Sequence, residues 1–186
     1  MNGPRQSVVG FAVVKLAVAG MPFYLMRLNA KWKDISFIGG HVKDRDAGSL
    51  ETTTRRELYE EVPSIRHYDK ITLEQLTPRI QFGPVKSLSR HELVNYELQF
   101  FLVRLEQSPE AMVHMLGAKS KNVWVSQYDL LQSGRYRIAQ LVYLLDRTYP
   151  GGLDKIPYSS SINLNFPVQS RDFGALYSNQ LEFALK

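Results

Sequence analysis

The stretch Gly39–Pro63, GGHVKDRDAGSLETTTRRELYEEVP, decides the reading of this chain. Ser49 is a good helix N-cap, and Leu50, Thr54, Leu58 and Val62 recur at every fourth position, one stripe of a helix. Pro63 disfavours helical geometry at Val62, so the helix should end about there. On that helix Glu57, Glu60 and Glu61 stand at i, i+3 and i+4 and share one face. Like charges this close repel, so the cluster wants a counter-charge. Magnesium can supply one: it takes oxygen ligands octahedrally and keeps waters, leaving positions for substrate phosphates. Arg56, next to Glu57, can orient it by a charge-assisted hydrogen bond. At Gly39-Gly40 there is no side chain to keep a backbone carbonyl from approaching a metal or phosphate.

These residues resemble the Nudix box, the signature of the Nudix hydrolase superfamily: Gly, five residues, Glu, seven residues, then Arg-Glu-hydrophobic-any-Glu-Glu-any-Gly-hydrophobic. Arg56-Glu57-Leu58-Tyr59-Glu60-Glu61 matches the second half completely, and Gly40 matches the opening glycine. The first half departs from the pattern. The spacing from Gly40 to Arg56 is two residues longer, the first Glu falls on Gly48, and the glycine after the Glu pair is Pro63. Asp44, Asp46 and Glu51 are the candidates to replace the missing carboxylate. The similarity extends over roughly residues 7–149, through Trp32 ahead of the glycine pair and Val123-Trp124-Val125-Ser126 leading into a helical turn.

The resemblance implies a pyrophosphohydrolase that uses Mg²⁺ or Mn²⁺ to cleave a diphosphate linkage in a nucleoside diphosphate-linked small molecule. Glu57, Glu60 and Glu61 would be metal ligands, with the Gly40 carbonyl. Glu57 would be ligand or base, oriented by Arg56, and Glu97 or Glu92 is the candidate for a further base from a later strand. Arg27 is the candidate for a substrate phosphate, and Trp32 and Phe82 for stacking on a base, against the ordinary reading of such aromatics as core. Many relatives are dimers, which makes a homodimer the expected assembly if there is one. The altered first half of the box also admits a second reading, a Nudix-like nucleotide-binding or regulatory domain with weakened catalysis.

Outward from the box, Ser7–Val18 and Pro22–Leu28 read as two strands joined at Ala19-Gly20, and Ile35–Ile38 as a brief strand. Ile71–Leu76, Arg79–Val85, Tyr96–Leu105 and Asn122–Val125 read as further strands. Residues 108–116, 127–132 and 136–149 read as helices, the last with an apolar face of Ile138, Leu141, Val142, Leu145 and Tyr149. The order predicts an α/β (α+β) fold, a Nudix-type mixed sheet between helices. Residues 1–156 form the expected domain and 157–186 a C-terminal extension. Leu164, Phe166, Phe173, Leu176, Tyr177 and Phe183 give that extension apolar anchors, expected to pack on its own domain rather than on a partner.

A chain of 186 residues suits one domain able to bury its own core. Zero cysteine removes disulfides, thiolate metal sites and a cysteine nucleophile. No apolar run approaches the roughly 20 residues of a membrane span, and no signal-peptide pattern opens the chain, so a cytoplasmic location is expected. The net charge of +5 is spread out, with only small clusters at Lys119/Lys121 and Arg135/Arg137, which argues against a nucleic-acid module. The four histidines show no metal-ligand spacing.

Overall fold

The structure, a computed structural model, describes residues 3–29, 33–67, 71–87, 92–106, 121–132 and 137–164. The expected helix over 108–116, Trp32, and the extension beyond Leu164 lie outside the described residues. Among the described residues nine strands form two sheets. The first joins β1 (Arg5–Val13), β5 (Ile38–His41), β6 (Ile71–Gln75), β7 (Ile80–Lys86) and β8 (Leu93–Leu105). In it β1 runs parallel to β8 and antiparallel to the edge strand β5, while β6 and β7 share the other edge of β8. The second joins β2 (Lys15–Val18), β3 (Met21–Asn29), β4 (Asp34–Ser36) and β9 (Asn122–Ser126), all through β3.

The apolar run Ser7–Val18, expected as one strand, divides at Val14 into β1 and β2, which belong to different sheets. Ile35–Ile38 likewise divides, its first part entering β4 and Ile38 opening β5. The cause is burial on both faces. Val9, Phe11 and Val13 enter the core between the sheets, while Ala12 and Val14 enter a second core under the box helix. A strand covered on both sides reads as a continuous apolar run, and such a run hides where the chain changes sheet. The β2–β3 hairpin forms as expected, and its turn places Ala19 and Gly20 in the left-handed region.

The box helix, α1 (Leu50–Glu61), is capped by Ser49, whose hydroxyl accepts from the Thr52 N–H at 3.2 Å. Its expected stripe, Leu50, Thr54, Leu58 and Val62, is buried. Gly10 on β1 lets α1 lie close: a Cβ there would overlap the Thr54 hydroxyl and come within 2.8 Å of the Leu50 carbonyl. The other cluster packs α2 (Gln127–Leu131), α3 (Gln140–Thr148) and α4 (Gly152–Lys155) through Leu130, Val142, Leu145 and Leu153. The helix expected over 136–149 begins only at Gln140, because residues 137–139 are extended and Ile138 bridges to Ile35.

Residues 158–164 return to the sheets. Ser159 hydrogen-bonds the Lys15 and Leu105 backbones, and buried Leu164 bridges to Val18. Lys15 is fully buried and donates from Nζ to the carbonyls of Leu153, Asp154 and Ile156 at 2.8, 3.1 and 2.9 Å. Lys15 thus ties α4 and Ile156 to β2, beside the backbone bonds that Ser159 and Leu164 make to the sheets.

Candidate active site

β5 carries Gly39 and Gly40 opposite Phe11 and Gly10 of β1. Gly40 faces α1. A Cβ at that position would overlap the carboxylate of Glu57, so glycine is what lets the acid lie flat against the strand. Beyond His41 the loop makes a 3₁₀ turn over Asp44–Asp46, and Ala47 and Gly48 follow with φ of 49° and 76°. Gly48 is the position where the family pattern has its first Glu. Its left-handed conformation serves the turn into α1, which a glutamate there would strain.

Of the three carboxylates left open by the sequence, Asp46 is the one that meets Arg56. It is 1% exposed, and its two oxygens accept from Arg56 Nε and Nη2 at 2.9 Å each. Its Oδ2 also takes the Lys43 backbone N–H and the Thr53 hydroxyl, both at 2.9 Å. The Arg56 hydrogen bonds, aided by those from Lys43 and Thr53, hold the Asp46 carboxyl well below the usual carboxylate range despite burial. The same contacts raise the Arg56 guanidinium above its ordinary value. Arg56 also donates to the His41 carbonyl at 3.0 Å and to Glu57. The arginine is therefore fixed from the loop side, and it fixes Glu57 in turn.

The remaining carboxylates are held by cations. Glu60 pairs with Arg45 at 2.6 Å, Arg56 at 3.3 Å and Lys43 at 3.7 Å, and Lys43 also lies 3.9 Å from Glu57. Burial pushes the Glu60 carboxyl up, but Lys43, Arg56 and Arg45 together bring it below its ordinary value. Glu61 pairs with Arg27. Burial lowers the Arg27 guanidinium, and Glu57 opposes that shift. Gly40, Arg56, Glu57, Glu60, Glu61 and Arg27 are thus brought to one place. Among the described residues no three acidic or histidine side chains converge as a ready-made metal site.

Glu97 stands on β8 beside Val8 of β1, two residues before the Gly10–Gln99 pair. It pairs with Arg79 at 2.5 Å and with Gln81 at 3.3 Å across the β7–β8 ladder. Glu92 pairs with Arg5 at 3.3 Å. On the opposite face of β5 from Glu57 is a cavity of about 500 Å³. Gly40 and His41 form one wall, the neighbouring cross-strand rings of Phe82 and Tyr96 another, and Lys86 and Arg137 bring positive charge. The Ser7 hydroxyl and His41 Nδ1 share a hydrogen bond of 2.7 Å, and the His41 ring lies 6.4 Å from that of Tyr96. Phe82 is half-buried and lines this cavity as well as packing on the core. Lys43, Arg45 and Lys86 were not singled out by sequence, and Arg137 was named only as half of a small basic cluster with Arg135.

No protein-family profile matches the chain, and no curated protein matches it in sequence. Solved structures do. Shewanella oneidensis NrtR is matched with a TM-score of 0.55 and 17% identity over 95% of this chain and 78% of that one. The same protein complexed with a 27mer DNA is matched with a TM-score of 0.53 and 19% identity over 73% of this chain, which spans 58% of that one. Its Nudix domain complexed with ADP ribose is matched with a TM-score of 0.48 and 16% identity over 77% of this chain and 86% of that one. At these identities the likeness speaks for the fold alone: the chain shares the mixed α+β fold of NrtR, and the residues that resemble the Nudix box sit in it at the strand–loop–helix where their pattern placed them.

Proposed function

We propose that the protein hydrolyses a diphosphate linkage in a nucleoside diphosphate-linked small molecule, with Mg²⁺ or Mn²⁺ as cofactor. The observation that carries this reading is the Glu57 carboxylate lying against Gly40 and tied to an arginine that Asp46 anchors. That is a positioned acid beside a bare backbone, not a solvated face of a helix.

The donor set fits a hard divalent cation. Glu57, Glu60 and Glu61 offer carboxylate oxygens from one helix face, and Gly40 offers a carbonyl on the adjoining strand. Glu60 and Glu61 reach it by turning out of their pairs with Arg45 and Arg27. When bound, such an ion neutralises phosphate charge and lowers the pKa of coordinated water. In this reading Arg56 holds Glu57 in a single orientation, and Glu57 accepts the proton of the attacking water. Phe82 and Tyr96 stack on the base that enters the cavity.

A specific observation favours a second reading, a nucleotide-binding domain with little turnover. The first Glu of the pattern is replaced by a turn glycine, and Glu60 and Glu61 already have cationic partners. One experiment separates the two. The full chain is incubated with Mg²⁺ or Mn²⁺ and a nucleotide panel headed by ADP ribose, beside Glu60→Gln/Glu61→Gln. Product released by wild type alone supports hydrolysis. A ligand that raises the melting temperature of both proteins without being consumed supports binding.

A further inference from the structure

Lys43 and Arg45 are the residues this site leaves unexplained. Both lie in the loop that is two residues longer than the family pattern, and both sit against the carboxylates. They are not loose surface cations. The buried Asp46 takes the Lys43 backbone N–H at 2.9 Å and the Asp46 N–H donates to the Lys43 carbonyl at 2.8 Å, which locks the turn on which both cations stand. Asp46 is in turn fixed by Arg56 and Thr53. The loop is therefore a rigid platform that aims two flexible cationic side chains at the place where Glu57 and Glu60 meet solvent. Each side chain is about half exposed and free to swing away from its partner.

We propose that Lys43 and Arg45 form a clamp for the diphosphate oxygens of the ligand, parked on Glu57 and Glu60 while the site is empty. This rests on the hydrolase reading, because it supposes that a divalent cation takes the carboxylates. The exchange conserves charge. As the carboxylates turn to a metal, Lys43 and Arg45 lose their partners beside it, and phosphate oxygens offer replacements. Arginine suits a phosphate through two parallel N–H bonds, and lysine through a mobile point charge.

Parking and clamping make opposite predictions for the two ligands. Removing both cations frees the carboxylates, so Mn²⁺ alone should bind about threefold to tenfold more tightly, the scale of the three ion pairs that Lys43 and Arg45 make with Glu57 and Glu60. Removing them also deletes the clamp, so the non-hydrolysable diphosphate methylenediphosphonate should bind about tenfold more weakly in the presence of Mn²⁺. Isothermal titration of full-length wild type, Lys43→Ala/Arg45→Ala and Arg55→Gln tests this. Arg55 lies on the same helix but contacts Glu51 and the Ile71 carbonyl, so it reports the effect of removing charge without removing the clamp. The expected result is both shifts in the double variant, well beyond those of Arg55→Gln. Mn²⁺ binding by wild type with the double variant no different from Arg55→Gln would overturn the clamp and leave the metal site standing. Absence of Mn²⁺ and methylenediphosphonate binding in every variant would overturn both.

Discussion

Replacing Asp46 with Asn tests whether this acid, two residues ahead of the glycine at the pattern's first Glu, organises the site. The side chain keeps its shape, but one oxygen becomes an NH₂ group. Asp46 accepts four hydrogen bonds, all at 2.9 Å, two of them from Arg56. In the variant one of the Arg56 donors meets another donor, and the charge balance of the pair is lost. Breaking a buried ion pair from one side costs about 3–5 kcal/mol. Here Arg56 keeps Glu57 and Glu60 as partners, so the loss should fall lower, about 2–3 kcal/mol. For a domain of this size that is a fall in Tm of about 5–10 °C.

The pH dependence gives a second handle. The folded carboxyl titrates below the ordinary value of 3.8, so its contribution is fully present above that pH. It is lost as the pH falls through the folded pKa. Urea unfolding of wild type and Asp46→Asn should therefore differ most near pH 6–7, and the difference should shrink steadily as the pH falls below 3.8. A difference below about 0.5 kcal/mol at pH 7, or one that does not change with acid, would refute the anchoring role.

Three further outcomes follow. Gly40→Ala should push the Glu57 carboxylate off the strand, a cheap move for the end of a flexible side chain. Tm should stay within about 3 °C of wild type while turnover falls about 100-fold, as for a misplaced reacting group. Gly10→Ala should do the reverse of cheap, because a Cβ meets the Thr54 hydroxyl and the Leu50 backbone. Urea unfolding should show a loss of about 2–3 kcal/mol. Lys15→Met strips a donor from three carbonyls, two of them buried, and chemical unfolding should register a loss of about 2–4 kcal/mol.

The helix and its carboxylate face were legible because their signals are local: an N-cap, a four-residue apolar recurrence and a proline stop. The switch of sheet at Val14 was not, since β1 is buried on both faces and its residues look alike on either side of the break. Neither could pattern choose among Asp44, Asp46 and Glu51. The choice is made by Ala47 and Gly48 in left-handed conformations, which turn the loop so that Asp46 points inward. The cavity was invisible for a different reason. Gly40, Tyr96 and Arg137 come from segments far apart in sequence and meet only through strand pairing and the extended stretch before α3. Arg27 was the candidate for a substrate phosphate, and its pairing with Glu61 could be seen only from the positions of strand β3 and helix α1 together.

The account's central claim is that the chemistry stands on Glu57. The direct measurement is product release from ADP ribose and related nucleoside diphosphate compounds, with Mg²⁺ or Mn²⁺, by wild type and by Glu57→Gln of matched stability. Cleavage of the diphosphate by wild type, reduced at least about 100-fold in the variant, is the predicted result. Equal cleavage by both proteins, or cleavage by neither while both bind the nucleotide, would contradict it.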